Sequence, residues 1–401
     1  MIPVAEARAR ILAALRPAPA ETVPLGEAVG RVTATPVVAR LTQPPADVSA
    51  MDGYALRNAD GVFGAALQVI GSAPAGHPFP GSVGPGEAVR IFTGAPMPDS
   101  ADAVLLQEDA AADGDRVVVR EAVVPGQHIR RAGQDFAAGD VVLPPGRRLG
   151  ARDIGLAAAA NHPWIAVHRR PRVAILATGD EISLPGDPIP AGGIVSSNAH
   201  ALAAMVRQGG GEPVLLPIAR DDRAAIAEAA EAATGMDLLV TTGGVSVGDH
   251  DLVQAGLGAR GLALDFWQIA MRPGKPLMFG HVGALPVLGL PGNPVSAAVC
   301  GVLFLLPALA RLCGLAGEAP RTSPAVLGAP VRANDHRFDH LRAVLNEREN
   351  GLLVATPYER QDSALLRLLA EADALVLRAP HAPALPAGAA VEVIRLDRLG
   401  V

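Results

Sequence analysis

Between Arg172 and Leu312 the chain alternates continuous apolar runs with segments of helical spacing, and few folds accept that pattern. Val173–Ala177, Leu238–Thr241 and Val287–Leu290 are apolar along nearly their whole length, as strands covered on both faces are. Val214–Leu216 is a shorter run of the same kind, and Asn198–Gln208, Arg223–Ala233 and Pro294–Leu312 have the spacing of helices. Such alternation predicts a parallel sheet with crossover helices.

The flanking regions read differently. In Met1–Leu15, the positions Val4, Ala7, Ile11, Leu12 and Leu15 predict a helix that stops before Arg16-Pro17. From Pro36 to about Gly139, the β-rich runs Leu67–Ile70, Ala88–Phe92, Ala103–Gln107 and Arg116–Arg120 are separated by Pro- and Gly-rich turns, as in an all-β module. Leu149–Asn161 is helical again, so the β module reads as an insertion into a small helical domain. Beyond the loop Glu318–Pro324, the runs Val326–Ala329, Arg342–Leu345, Leu352–Thr356, Ala374–Leu377 and Ala390–Ile394 predict a small C-terminal β domain.

Composition narrows the function. The 401 residues carry 34 basic and 40 acidic side chains, a net charge of −6, and only 3% are aromatic. A nucleic-acid binder would show a basic stripe with aromatic platforms, so no nucleic-acid partner is expected. Any anionic ligand must be gathered by a local site. Cys300 and Cys313, both in apolar surroundings, exclude a disulfide framework and a four-ligand zinc site. Met1–Leu15 lacks the apolar core of a signal peptide, and Ala297–Ala310 reads as too short to span a bilayer and contains Pro307. A cytoplasmic protein with no membrane contact is expected.

The chemistry gathers at strand ends. Leu238–Thr241 runs into Thr242-Gly243-Gly244, then Ser246, Asp249 and Asp251. Glycines there let backbone N–H groups approach an anion, and ligands of open parallel sheets bind at that end. No Lys follows, so this is not a P-loop. A second strand end continues as Pro291-Gly292-Asn293-Pro294-Val295-Ser296, with Asn293 as expected N-cap and Pro294 as first helical residue. That helix aims its positive end at the loop, and Ser296 adds a hydroxyl. Between them, Arg272-Pro273-Gly274-Lys275 sets two cations on a stiff turn. Thr178-Gly179-Asp180-Glu181 and Asp221-Asp222 supply carboxylates suited to Mg²⁺ or to a hydrogen bond from a ligand's heterocycle or ribose, although an Asp before Arg223–Ala233 also reads as an N-cap. Ser49–Ala55, Arg90–Pro98 and His128–Asp135 read, on their own, as turns. No Ser–His–acid set or Cys nucleophile is evident, so no covalent intermediate is expected.

Taken in order, Ser49-Ala50-Met51-Asp52-Gly53-Tyr54, Thr93-Gly94-Ala95-Pro96 and Leu290-Pro291-Gly292-Asn293-Pro294 resemble the molybdopterin molybdenumtransferase (MoeA) family, whose eukaryotic counterpart is the gephyrin E domain. The resemblance covers nearly the whole chain. It implies a multidomain α/β plus β fold: a helical subdomain I (1–37 and 140–170) split around a β subdomain II (38–139), a molybdopterin-binding α/β subdomain III (171–319) and a C-terminal β-barrel subdomain IV (320–401). It further implies a homodimer whose cleft uses both chains, with the adenylyltransferase and the recipient molybdoenzymes as partners. The implied reaction inserts molybdate into adenylylated molybdopterin with Mg²⁺, releasing AMP and molybdenum cofactor.

The family's functional positions fall here on Asp52, Thr93, Arg130, Asp135, Glu181, Asp221, Asp251, Lys275, Pro291 and Pro294, and further on Ser296, Arg342 and Ser363. Gln268 stands where some members have Lys, Gln134 where Glu is usual, and Arg272 where Lys is frequent. In physical terms, Arg272, Lys275 and Arg342 with Ser296 and Ser363 suit a tetrahedral dianion. Gly243, Gly244, Ser246 and the helix at Asn293 suit a pyrophosphate. Glu181, Asp221 and Asp251 suit the Mg²⁺ on it. Two other readings compete: the preceding adenylyltransferase step, which needs only the α/β domain, and a non-catalytic pterin-binding scaffold.

Overall fold

The computed structural model describes residues 1–244 and 252–400. The chain forms two compact bodies, one of residues Met1–Glu21, Gly30–Ala34 and Ala166–Val401, the other of Thr22–Val29 and Thr35–Ile165.

The first body holds a six-stranded sheet in the order Glu212–Leu215, Arg172–Ala177, Leu238–Thr242, Leu285–Leu290, Pro276–Val282 and Leu262–Gln268. The first four strands run parallel, as their apolar runs predict. Pro276–Val282 runs against them, pairing antiparallel with both Leu285–Leu290 and Leu262–Gln268, so the sheet is mixed and the expected parallel sheet is corrected. Pro276, Gly280 and His281 break the apolar run of one added strand, and Asp265 and Gln268 that of the other; they pair because the hairpin at Gly283-Ala284 extends an edge already formed. Alternate residues serve opposite faces. Val173, Ile175 and Ala177 pack with Ala7 and Ile11 of the helix Val4–Ala14, whereas Ala174 and Leu176 pack with Ile226 of the helix Arg223–Ala232. Each large side chain so buried contributes roughly 1.5–3 kcal/mol.

The helical stretch Pro294–Leu312 is long and apolar enough to cross a membrane by length and composition, which corrects the shorter run read from sequence. Its most apolar window is 83% buried inside the protein, as expected of a core helix. Cys300 and Cys313 are buried and unlinked, and burial pushes the Cys300 thiol far above its ordinary range.

The same body ends in a closed five-strand ring: Phe338–Glu347 pairs with Leu353–Pro357, then follow Thr322–Leu327, Ala390–Arg395 and Ala374–Arg378, which returns to Phe338–Glu347. Ala325, Ala343, Ala355, Ala374 and Val393 fill its interior, small side chains being what so narrow a ring admits. The segment Met271–Arg272 adds a parallel bridge to the start of Phe338–Glu347.

The second body is built on a six-stranded sheet ordered Ala103–Leu106, Gly53–Leu56, Glu87–Ile91, Ala66–Ala73, Arg116–Val119 and Ala110–Asp113. Gly53–Leu56, read from sequence as part of a turn, is a central strand. Ala55 and Leu56 are fully buried between two neighbours, so tertiary pairing overrides weak local propensity. The helix Ala151–Ala159 lies in this body, and the helix Val4–Ala14 in the other.

Candidate active site

The strand order of the large sheet fixes where a ligand can sit. From Arg172–Ala177 the chain crosses to the outer strand Glu212–Leu215, then back past its start to Leu238–Thr242. Two neighbouring strands whose connections leave in opposite directions open a crevice at their C-terminal ends. A cleft of about 990 Å³ lies there. Its walls include Thr178 and Gly179 after one strand, Thr242, Gly243 and Gly244 after the next, and Pro291, Gly292, Asn293 and Pro294 after the third.

Backbone requirements explain the glycines. Gly243 has φ +94° and Gly244 φ +64°, and a Cβ at Gly243 would lie 2.6 Å from the Thr178 carbonyl oxygen. No L side chain fits there without moving the neighbouring strand end. Asn198, in the first turn of the helix Asn198–Gln208, donates to the Gly292 carbonyl at 2.7 Å and to Thr242 Oγ1 at 3.0 Å, locking two of the strand-end loops together.

Glu181, Asp221, Gly243, Gly244, Pro291, Asn293, Pro294 and Ser296 line this one cleft. The Asp221 carboxyl is held above its ordinary range, first by partial desolvation and then by the charges of Glu181 and Asp180. The neighbouring Asp222 is the N-cap of Arg223–Ala232, accepting from the Ala224 and Ala225 N–H groups at 3.1 and 3.0 Å. The adjacent acids thus divide capping and cleft between them. Thr178 of the strand-end motif lines the cleft as well, and so do Ser196, Ser197 and Asn198, which were missed because short polar residues around a helix start look like capping. Thr178 Oγ1 is buried without a hydrogen-bond partner among the described residues.

Asn293 occupies the N-cap position, but its side chain makes no cap bond. It donates instead to Ser363 Oγ at 2.9 Å, and the Val295 N–H is capped by the Ser363 carbonyl at 3.1 Å. The ring's loop therefore closes over the helix start and sets Ser363 beside the cleft. Arg342, expected at the oxyanion, is 1% exposed, and its guanidinium donates to the carbonyls of Asp362 at 2.9 Å, Leu365 at 3.1 Å and Arg360 at 3.4 Å. Its fork is consumed in shaping the loop that carries Ser363. Arg272 is also engaged, with Asp339 and, at 3.3 Å, with Asp335 and Asn334. Lys275 precedes the cleft residue Pro276, and its ammonium has no hydrogen-bond or ion-pair partner among the described residues. Gln268 stands opposite Pro276 across the strand pair.

In the second body, Asp52 and Thr93 meet. The Thr93 N–H and hydroxyl both donate to one Asp52 oxygen, at 2.7 and 2.8 Å. Those bonds, and then the charge of Arg90, hold the exposed carboxylate below its ordinary range. Arg90 lies over the rings of Phe92 and Tyr54 at 4.8 and 5.1 Å. Arg130 and Asp135 are exposed in the same body. Ser246 and Asp251 fall outside the described residues.

The chain resembles known proteins along its whole length. Residues 2–161 match the model described as MoeA N-terminal region (domain I and II), 174–311 a probable molybdopterin binding domain, and 324–396 the MoeA C-terminal region (domain IV). A protein of Nostoc sp. named molybdopterin molybdenumtransferase is 41% identical over 74% of this chain and 70% of its own. Mycobacterium tuberculosis molybdopterin molybdenumtransferase 2 is 37% identical over 92% of each chain, and the Haemophilus influenzae enzyme 33% over 100% of each. The crystal structure of a Pyrococcus horikoshii molybdopterin biosynthesis MoeA protein superposes with a TM-score of 0.85 at 29% identity, covering 98% of this chain and 99% of that one. The chain belongs to the molybdopterin molybdenumtransferase (MoeA) family.

Proposed function

We propose that this chain inserts molybdate into adenylylated molybdopterin, releasing AMP and molybdenum cofactor, and that the strand-end cleft is where it does so. The observation that carries the reading is the convergence there of two anion-accepting devices. The Gly243-Gly244 turn and the start of the helix from Pro294 both line the cleft, the helix bringing its positive end there although the Ser363 carbonyl already takes the Val295 N–H. A pyrophosphate fits between them, with Ser296 and Ser363 offering hydroxyls at one end. Lys275 supplies the uncommitted positive charge that an oxyanion needs.

The carboxylates fit a divalent ion. Asp221 and Glu181 line the same cleft and repel one another, a repulsion a cation relieves. Among the described residues no group of three or more His, Cys, Asp or Glu is arranged to hold a metal, so on this reading the substrate's phosphates complete the site. We assign Glu181, Asp221 and, outside the described residues, Asp251 to it. When bound, Mg²⁺ neutralises phosphate charge and polarises the phosphoryl oxygens. The protein's own part is to seat the pyrophosphate on the glycine turn, hold the oxyanion near Lys275 and keep Ser363 in place through Asn293. The Asp52–Thr93 pair is pre-ordered as an acceptor, and we place it, with Arg130 and Asp135, in a homodimer's shared cleft. We place the enzyme in the cytoplasm.

The test supplies purified protein with adenylylated molybdopterin, Mg²⁺ and molybdate, and follows AMP. Molybdate-dependent AMP release is expected. ATP consumption with free molybdopterin would support the adenylyltransferase step instead, and pterin binding without AMP release a scaffold. For the dimer, an inactive Asp52→Ala chain mixed with an inactive Asp251→Ala chain should recover activity, since some heterodimers keep one intact cleft. No recovery after verified subunit exchange would reject the shared cleft.

A further inference from the structure

A second cleft, of about 500 Å³, lies in the first body and shares no lining residue with the strand-end cleft. That volume is in the range of small-molecule sites. Its apolar walls include Leu303 of the core helix, Phe338 and Leu377 of the ring, and Ile394. The helix Val4–Ala14 closes one side with Ala5 and Arg8.

Charge on these walls is lopsided. No carboxylate lines the cleft, and Arg8 is the one Lys, Arg, Asp or Glu among the lining residues. Its neighbour Arg10 is satisfied by Glu6 at 2.6 Å and Asp265 at 3.2 Å. Arg8 has no such partner among the described residues; burial alone perturbs its guanidinium, pulling it below the ordinary value. A half-buried cation without a counter-charge costs free energy that a bound anion would offset.

The aromatic wall is neutral. His340 is 3% exposed, and burial lowers its pKa to about 4, so the ring is uncharged at physiological pH. It packs on Phe338 with centroids 5.1 Å apart. A flat apolar body meets Phe338, His340 and the aliphatic side chains of Leu303, Leu377 and Ile394 here, with the Arg8 guanidinium at one side and Met1 and His336 also on the walls.

We propose that this cleft is a second ligand site, taking a small aromatic monocarboxylate whose carboxylate pairs with Arg8 and whose ring packs against Phe338, Leu377 and Leu303. The site is independent of the catalytic reading, and the chemistry of its walls argues for one negative charge on an otherwise apolar molecule.

Calorimetric titration of the full chain with 3-phenylpropionate and with its primary amide tests this. The acid should bind at least ~10-fold tighter than the amide, the difference being the Arg8 charge pair. Arg8→Gln should bring the two within about 2-fold, and Ala5→Trp, which fills the cleft, should remove binding of both. Equal affinity of acid and amide for the unaltered protein would overturn the proposal. So would no acid binding at about 10 mM, or acid binding that survives Ala5→Trp. Binding of a peptide ending in a phenylalanine carboxylate, without binding of 3-phenylpropionate, would also overturn it in favour of a protein tail. If Arg8→Gln does not fold, the acid–amide comparison in the unaltered protein and the Ala5→Trp arm still decide.

Discussion

Asp221 and Asp52 are the same chemical group placed in opposite settings. Asp221 sits at a strand end facing two other carboxylates, and its charged form is disfavoured. Asp52 sits at the edge of the β body, gripped by the N–H and hydroxyl of Thr93, and its charged form is favoured. The first is built to gain from a visiting cation, the second to stay ionised and accept hydrogen bonds whatever arrives. The reaction proposed above would thus draw on opposite electrostatics in the two regions.

The glycines give the widest separation between the regions. Gly243→Ala forces a Cβ to within 2.6 Å of a backbone oxygen at φ +94°, and should lower molybdate-dependent turnover at least ~100-fold, about 2.7 kcal/mol. Gly94→Ala, at φ +82° with nothing within 4 Å of the added carbon, should cost about 1 kcal/mol of stability and little activity. Turnover assays and urea midpoints of the pair check this; equal losses of activity would break the contrast.

At the oxyanion, Lys275→Ala should raise the molybdate concentration for half-maximal activity ~10-fold, about 1.4 kcal/mol. Arg272→Ala should move that value less and the melting temperature more, since Arg272 is already paired with Asp339 and Asp335. A molybdate titration with a melt of each variant separates them. If Lys275→Ala weakens only pterin binding, the turn holds phosphate and the oxyanion lies elsewhere.

The carboxylates themselves should give effects of opposite sign. A raised folded pKa at Asp221 means the folded state holds more protons through that window, so stability falls as pH rises through it. Asp52, with a lowered folded pKa, adds stability above the ordinary carboxylate range and loses it as pH falls through the folded value. Thermal melts at pH 7 without divalent ions should therefore show Asp221→Asn neutral or slightly stabilised and Asp52→Asn destabilised. Shifts of the same sign would remove the distinction.

The smallest effect is expected from Gln268→Lys. It places a second ammonium near Lys275, opposite Pro276, and should lower the molybdate requirement about 3-fold, more at low salt because exposed charges are screened. A molybdate titration at two ionic strengths reads it.

Much of this architecture was legible in the residues. Val173–Ala177 and Leu238–Thr241 announced a doubly covered sheet because no polar face interrupts them, and Gly243-Gly244 marked its business end. Pro276–Val282 was not legible, since its place depends on an edge formed by other strands. Nor was Gly53–Leu56, whose glycine and alanine carry little β signal. At the site, the residue types of Arg342 and Arg272 were readable but their commitments were not. A guanidinium looks the same in sequence whether it faces solvent or spends its donors on a loop, as Arg342 does. Asn293 was placed at the right helix start, yet its partner Ser363 is 70 positions away, beyond any local rule.

The five-strand ring has a consequence for how the protein is made. Its opening strand, Thr322–Leu327, pairs with its last, Ala390–Arg395, so the ring cannot shut until that last strand has left the ribosome. Until then the nascent chain carries two raw edges able to join a neighbour's. A premature stop before Ala390 would make that interval permanent, producing chains that stick to one another rather than a merely shorter enzyme.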